Sequence, residues 1–136
     1  MIKFTPIAVA VLAAASLAGG ALAMTQDEYK AEKARIEAQY KTEKARCNDQ
    51  LQGNAREVCK EQAEGAEDVA EAELKARRQP GPRADYEVAK EKAEASYDVA
   101  KAKCGGLAAA EQGACRQGAK DDYAAARQAL GPKPAR

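Results

Sequence analysis

The sequence contains no histidine and no tryptophan, and its single phenylalanine is Phe4. The commonest general base is therefore missing, and so is the nitrogen ligand of most zinc sites. No glycine-rich phosphate loop occurs; Gly105-Gly106 stands alone. Charge of one sign is not in excess either. With Lys3 set aside in the leader described below, 21 of the 22 basic residues remain against 21 acidic ones. A nucleic-acid binder would show a basic surplus or stripe, and a membrane-surface helix a polybasic face. Large aliphatics are scarce as well. Beyond residue 23 they are Ile36, Leu51, Val58, Val69, Leu74, Val88, Val99, Leu107 and Leu130, joined by five tyrosines. A thick hydrophobic core is thus excluded.

What the chain has instead is alanine, lysine and glutamate, all strong helix formers that contribute little apolar area. It also has an N-terminal leader pattern. Lys3 gives a positive start, Ile7 to Leu17 is an apolar run broken only by Ser16, and Ala21-Leu22-Ala23 places small residues where a signal peptidase reads. Cleavage after Ala23 leaves Met24 to Arg136 as the mature chain. The apolar run is shorter than the roughly 20 residues of a spanning helix, and no later segment resembles one. The expected compartment is periplasmic or secreted, without stable membrane insertion after cleavage. No cysteine lies directly after the expected cleavage site to carry a lipid anchor.

The mature region is two copies of one pattern. Tyr29, Tyr40, Cys47 and Cys59 correspond to Tyr86, Tyr97, Cys104 and Cys115, at offsets of 57 for the first three and 56 for the last. Within each copy an eleven-residue unit repeats: YKAEKARIEAQ then YKTEKARCNDQ from Tyr29, and YEVAKEKAEAS then YDVAKAKCGGL from Tyr86. Eleven residues make about three helical turns, so each unit returns to the same helix face. Tyr29, Ile36, Tyr40, Cys47 and Leu51 form one stripe; Tyr86, Ala93, Tyr97, Cys104 and Leu107 form its counterpart. The stripe reads as the seam along which one helix packs on the next, or alternatively as a tyrosine-lined interaction surface.

The expected fold class is all-α: four helices at about Gln26–Gln50, Ala55–Arg78, Ala84–Lys103 and Ala108–Leu130. These form two tandem antiparallel hairpins, residues 24–79 and 84–130. A linker at 80–83 separates them, because Pro80-Gly81-Pro82 stops a helix. Gly131-Pro132-Lys133-Pro134 begins a non-helical tail. Gly53 suits a left-handed helix exit, Asn54 an N-cap, and Glu57 a capping box.

An even cysteine count in an exported chain points to disulfides, and four cysteines allow three pairings. Cys47 lies six residues before Gly53 and Cys59 six after it, so a hairpin turning there sets them at one height. Cys104 and Cys115 flank Gly105-Gly106 similarly. The predicted bridges are Cys47–Cys59 and Cys104–Cys115. A zinc site lacks both histidine and a CxxC pair, and a redox enzyme lacks a close cysteine pair. Acids such as Glu28 and Glu32 stand beside lysines at helical spacing, as in solvated pairs. Glu61, Glu64, Glu67, Asp68, Glu71 and Glu73 precede Lys75, Arg77 and Arg78, as expected from the helix dipole. No catalytic residue, cofactor or metal ligand is assigned.

Leu51-Gln52-Gly53-Asn54-Ala55-Arg56-Glu57-Val58-Cys59, with Gly65-Ala66-Glu67-Asp68-Val69-Ala70 and Ala72-Glu73-Leu74, resembles a family of small exported proteobacterial proteins. Its members are often labelled cell envelope biogenesis protein TolA. Met24-Thr25-Gln26-Asp27-Glu28-Tyr29-Lys30 and the Tyr-to-Cys blocks are similar too, so the resemblance spans nearly the whole mature chain. In the second copy Gly105-Gly106-Leu107-Ala108 replaces the family's LxGNA-type turn. TolA itself has a membrane anchor, a helical stalk and a C-terminal domain; this chain shares only the stalk's composition. The resemblance implies an envelope location and helical form, and carries over no functional residue. The expected role is structural or protein-interacting, with an envelope partner or a second copy, and non-enzymatic. The alternative is a small holdase or stress protein.

Overall fold

The computed structural model describes residues 24–135; the leader read at residues 1–23 lies outside them. The described residues form four helices, α1 (Gln26–Gln50), α2 (Gly53–Arg78), α3 (Pro82–Cys104) and α4 (Ala109–Leu130), and no strand. The fold is all-α, with two disulfide-stapled antiparallel hairpins in tandem. Cys47–Cys59 joins α1 to α2 and Cys104–Cys115 joins α3 to α4, each with Cα atoms 5.6 Å apart, inside the range a disulfide requires.

The start of α1 has a capping box. The Glu28 amide donates to Thr25 Oγ1 at 3.2 Å, and the Thr25 amide donates to Glu28 Oε2 at 2.8 Å. Two free helix-end donors are thereby satisfied. The capping box expected at Asn54 and Glu57 does not form. Gly53 does have a positive φ of 57°, but it is the first residue of α2 rather than the exit from α1, so Asn54 already lies inside the helix. The cap position falls on Gln52, which makes no side-chain cap. The linker is also shorter than expected, because Pro82 is helical. Its fixed φ suits the first turn, where its missing amide costs nothing. Gly81, at φ 150°, makes the bend before it.

Each helix touches only its neighbours in the chain: α1 with α2, α2 with α3, α3 with α4. The four therefore lie side by side in one layer instead of closing into a bundle. Helix α2 shows how. Ala63 faces α1, where it shares a small gap with Ile36. Gly65, two residues on and about 200° around the helix, faces α3. The most extensive seam among the described residues, α2 on α3, is also the helix–helix contact that joins the hairpins. Buried apolar residues among those described are only Ile36, Cys47, Ala63, Ala72, Leu74, Cys104 and Ala119.

Ends of the first hairpin are clasped by charge. Arg77 donates to Glu32 at 3.2 Å, Arg78 donates to Gln26 at 2.6 Å, and the Arg78 guanidinium lies 4.7 Å from the Tyr29 ring centroid. At the other end of the layer the two turns meet. A Cβ added to Gly105 or Gly106 would come within 2.8 or 2.7 Å of the Asn54 side chain. Gly105 has an ordinary helical φ of −64°. The glycine pair is explained by this close approach and not by a left-handed turn.

Candidate functional site

The tyrosine–cysteine stripes run along the seams. Ile36 and Cys47 are buried and Tyr29 and Tyr40 half-buried on the side of α1 that faces α2, while Leu51, just past the end of α1, is half-buried in the turn. Tyr40 shares the gap lined by Ala63 and Ala66, and Lys44 donates to its hydroxyl at 3.1 Å. In the second copy Cys104 is fully buried and Tyr86, Ala93 and Tyr97 are half-buried. Tyr97 stacks on Tyr123 of α4, ring centroids 5.0 Å apart. Leu107 leaves the stripe: it lies past the end of α3, in the turn, and is 43% exposed. Tyr123 has no counterpart in the repeat, so nothing in the spacing marks it as the partner of Tyr97. Its hydroxyl donates to Glu94 at 3.0 Å.

The layer has two broad faces, divided at the α2–α3 seam by Gly65 and Ala95, which border the clefts on both sides. On one face an open groove of about 760 Å³ is lined by Ala66, Val69, Val99 and Ala100, with Gln62 and Ser96 at its surface and the charged Glu61, Lys92 and Lys103 at its borders. A second groove of about 850 Å³ runs on from it past Lys92. It spans α1, α2 and α3 and is lined by Ile36, Ala70, Ala76, Val88 and Ala89. Lys92 there pairs with Glu73 at 2.8 Å and Arg77 with Glu32 at 3.2 Å, while Asp85 has no ion pair among the described residues.

The opposite face is acidic at its middle, and toward the linker it opens into a cleft of about 670 Å³ lined by Ala72, Pro80, Pro82 and Ala84 with Lys75 and Arg83. Glu61, Glu64 and Asp68 of α2 stand across a cavity of about 80 Å³ from Glu91, Glu94 and Asp98 of α3. Lys90 pairs with Glu91 and Glu94, and Lys101 with Asp98. Glu61, Glu64 and Asp68 have no ion pair among the described residues. Among those residues no group of three or more acids or cysteines converges as a metal ligand set. All four cysteines are bonded, so none is a thiol in this state. No described helix is long and apolar enough to cross a membrane.

No protein-family model, curated protein or solved structure matches this chain. Its own geometry is therefore the only guide to what the surfaces do.

Crowding of like charges leaves a mark on acid titration. Partial burial, and then repulsion from Asp98 and Glu64, raise the pKa of Glu61. Partial burial followed by Glu91 and Glu64 does the same for Asp68, and Glu67 is raised by burial and then by Glu71 and Asp68. Others move down. Hydrogen bonds from Arg35 and Arg77 hold Glu32 at about 2, from an ordinary 4.5. Glu28 is lowered by the Thr25 amide and hydroxyl, and Glu87 by Lys133. Burial works against the charge of Glu94, yet bonds from Lys90 and Tyr123 outweigh it and lower its pKa.

The signs set a pH profile. A raised carboxylate binds more protons folded than unfolded, so folding is favoured as pH falls through its raised pKa. A lowered one loses its stabilisation as pH falls below its unfolded value toward its folded one. Thermal midpoint is expected to hold or rise from neutral pH to about pH 5 and to fall between about pH 4.5 and 2. Melts followed by circular dichroism across that range check this; a steady decline beginning at neutral pH would contradict it.

Proposed function

We propose that the protein is an exported, non-enzymatic helical protein of the cell envelope, one that works by presenting helix faces to other proteins. The observation that carries this reading is the open single layer. Its helix stripes are used up in the seams, which leaves two broad, chemically distinct faces with no second layer over them. Two disulfides suit an oxidising compartment. The leader pattern over residues 1–23 and the resemblance to TolA-labelled envelope proteins agree with that location. A disulfide-stapled layer of helices suits a scaffold or adaptor, and among the described residues no cysteine is free to act as a nucleophile.

One feature favours a second reading. The alanine- and valine-lined groove is open and shallow, as a surface for unfolded clients would be. The two readings differ in the number of partners. Amine cross-linking in cells of a C-terminally tagged copy, resolved on non-reducing gels, is expected to give one dominant envelope partner or a homodimer. The tagged chain is expected to begin at Met24. A broad smear of unrelated exported proteins would reject the adaptor reading in favour of the holdase. A chain retained with its leader would reject the location.

A further inference from the structure

We infer that the alanine- and valine-lined face is the docking surface for a second copy of this chain, stacked face to face so that two single layers become one two-layer core. The inference rests on the envelope-adaptor reading and names its partner.

Three observations carry it. The first is the layer itself. Helical domains bury their apolar stripes between packed layers, whereas here α1 to α4 lie side by side and only seven apolar residues are buried among those described. Val69, Val88 and Val99 stay half-buried, and all three line the same face. The second is area. Helix α2, with 26 residues, is about 39 Å long. With neighbouring helices spaced about 9 Å apart, α2, α3 and the adjoining flank of α1 offer on the order of 800–1,000 Å². That matches the roughly 800 Å² per partner of a stable interface.

The third is charge, which selects the face and the occupant. Across the valine face Lys92 is neutralised by Glu73 and Arg77 by Glu32 within one copy. A second copy brought against it meets these pairs around an apolar centre, together with one acid and one base that have no ion pair among the described residues, Glu61 and Lys103, whose opposite signs balance, and Asp85 toward the far end. The acidic side is the poorer face for self-stacking, because Glu64 and Asp68 have no ion pair among the described residues and a second copy would bring a further set of carboxylates against them in a low-dielectric contact. The edges of the layer are poorer candidates. If α4 extended the layer as α2 does, Asp121 would stand where Gly65 stands, at the position where a Cβ on Gly65 would lie 2.6 Å from that of Ala95. Growth at that edge is blocked, as polar end caps block it in repeat proteins, and closure face to face remains.

Sedimentation equilibrium of the disulfide-bonded protein over about 5–200 µM tests this, since a dimer is concentration-dependent by mass action. The expected result is a monomer–dimer equilibrium within that range. Ser96→Arg places an unpaired charge in the groove without touching a packed residue, and is expected to weaken association by at least about tenfold. Glu64→Gln on the acidic face is expected to leave it unchanged. Circular dichroism verifies that each variant folds, and Gln62→Arg on the same face serves if Ser96→Arg does not. Amine cross-links between differently labelled copies are expected at Lys92 or Lys103, beside the valine face, and not at Lys90 or Lys101. A monomer throughout the range overturns the inference, and so does a dimer cross-linked through Lys90 and Lys101 or indifferent to the groove variants. A monomer that still captures one envelope partner in cells overturns the dimer and leaves the adaptor reading standing. A smear of clients in cells removes the adaptor reading whatever the protein's mass.

Discussion

With all four cysteines replaced by alanine, or after reduction, the protein is expected to lose most of its helical circular-dichroism signal at room temperature. The two bridges close short loops, with separations of 12 and 11 residues. In the chain-entropy account each contributes about 3 kcal/mol. Together that is about 6 kcal/mol, against a typical total stability of about 5–15 kcal/mol. Little else compensates: of the seven buried apolar residues among those described, three are alanines and two are the cysteines themselves. The hairpins should not respond equally. The first keeps Ile36, Ala63 and Leu74. In the second, α4 packs only on α3, and Ala119 is its one buried residue. Cys104→Ala with Cys115→Ala is therefore expected to release α4 while α1 and α2 stay folded, seen as fast hydrogen exchange confined to residues 109–130. A cooperative melt unchanged by reduction would show that helix packing alone sustains the layer.

Gly65→Ala is expected to destabilise the protein by about 1–3 kcal/mol, although exchanging glycine for alanine inside a helix ordinarily stabilises by about 1 kcal/mol. The reason is the seam. An added Cβ would lie 2.6 Å from Ala95 Cβ and 3.2 Å from Ala95 Cα, so backbone and not a flexible side chain must give way. Since α2 on α3 is the helix–helix contact that joins the hairpins among the described residues, separating these helices loosens the whole layer. Gly113 and Gly118 supply the contrast. Both lie within α4, and a Cβ on either meets nothing within 4 Å. Gly113→Ala and Gly118→Ala are expected to raise stability by about 0.5–1 kcal/mol each. Ala95→Gly should restore much of what Gly65→Ala loses, a coupling that a double-mutant cycle measures. If Gly65→Ala raised the thermal midpoint as Gly113→Ala does, the close approach would not exist in solution.

Much of the fold was legible because the chain repeats itself. The eleven-residue spacing of Tyr29 to Tyr40 and of Tyr86 to Tyr97 announces helices with a persistent face. The cysteines at equal distances from Gly53 announce a hairpin and its bridge. Misreadings cluster where several local rules compete over a few residues. Gly53 and Asn54 fit an exit and a cap equally well by residue type, and the backbone used the glycine to enter α2 instead. The cap that does form, Thr25 with Glu28, has the same residue signature as Asn54 with Glu57. Leu107 continues the stripe by count, but α3 ends at Cys104, and a residue beyond a helix end no longer obeys the helix period.

The faces proposed to dock were not legible in advance. Val69 and Val99 are ordinary isolated valines in the sequence. They share a groove only because α2 and α3 cross at Gly65 and Ala95. Likewise Gly105-Gly106 looks like a flexible turn, and its close neighbour Asn54 is about fifty residues away.

The division follows the range of the forces. Helix propensity, the eleven-residue face, proline stops and the loops short enough for a disulfide act within a dozen residues, so the sequence by itself determined four helices, two hairpins and both bridges. Which side of one hairpin meets the other depends on backbone approach between segments some thirty residues apart. A single missing Cβ at Gly65 permits that approach. Tertiary structure alone therefore decided that the helices form an open layer, with the valines gathered on one face and carboxylates crowded at the middle of the other.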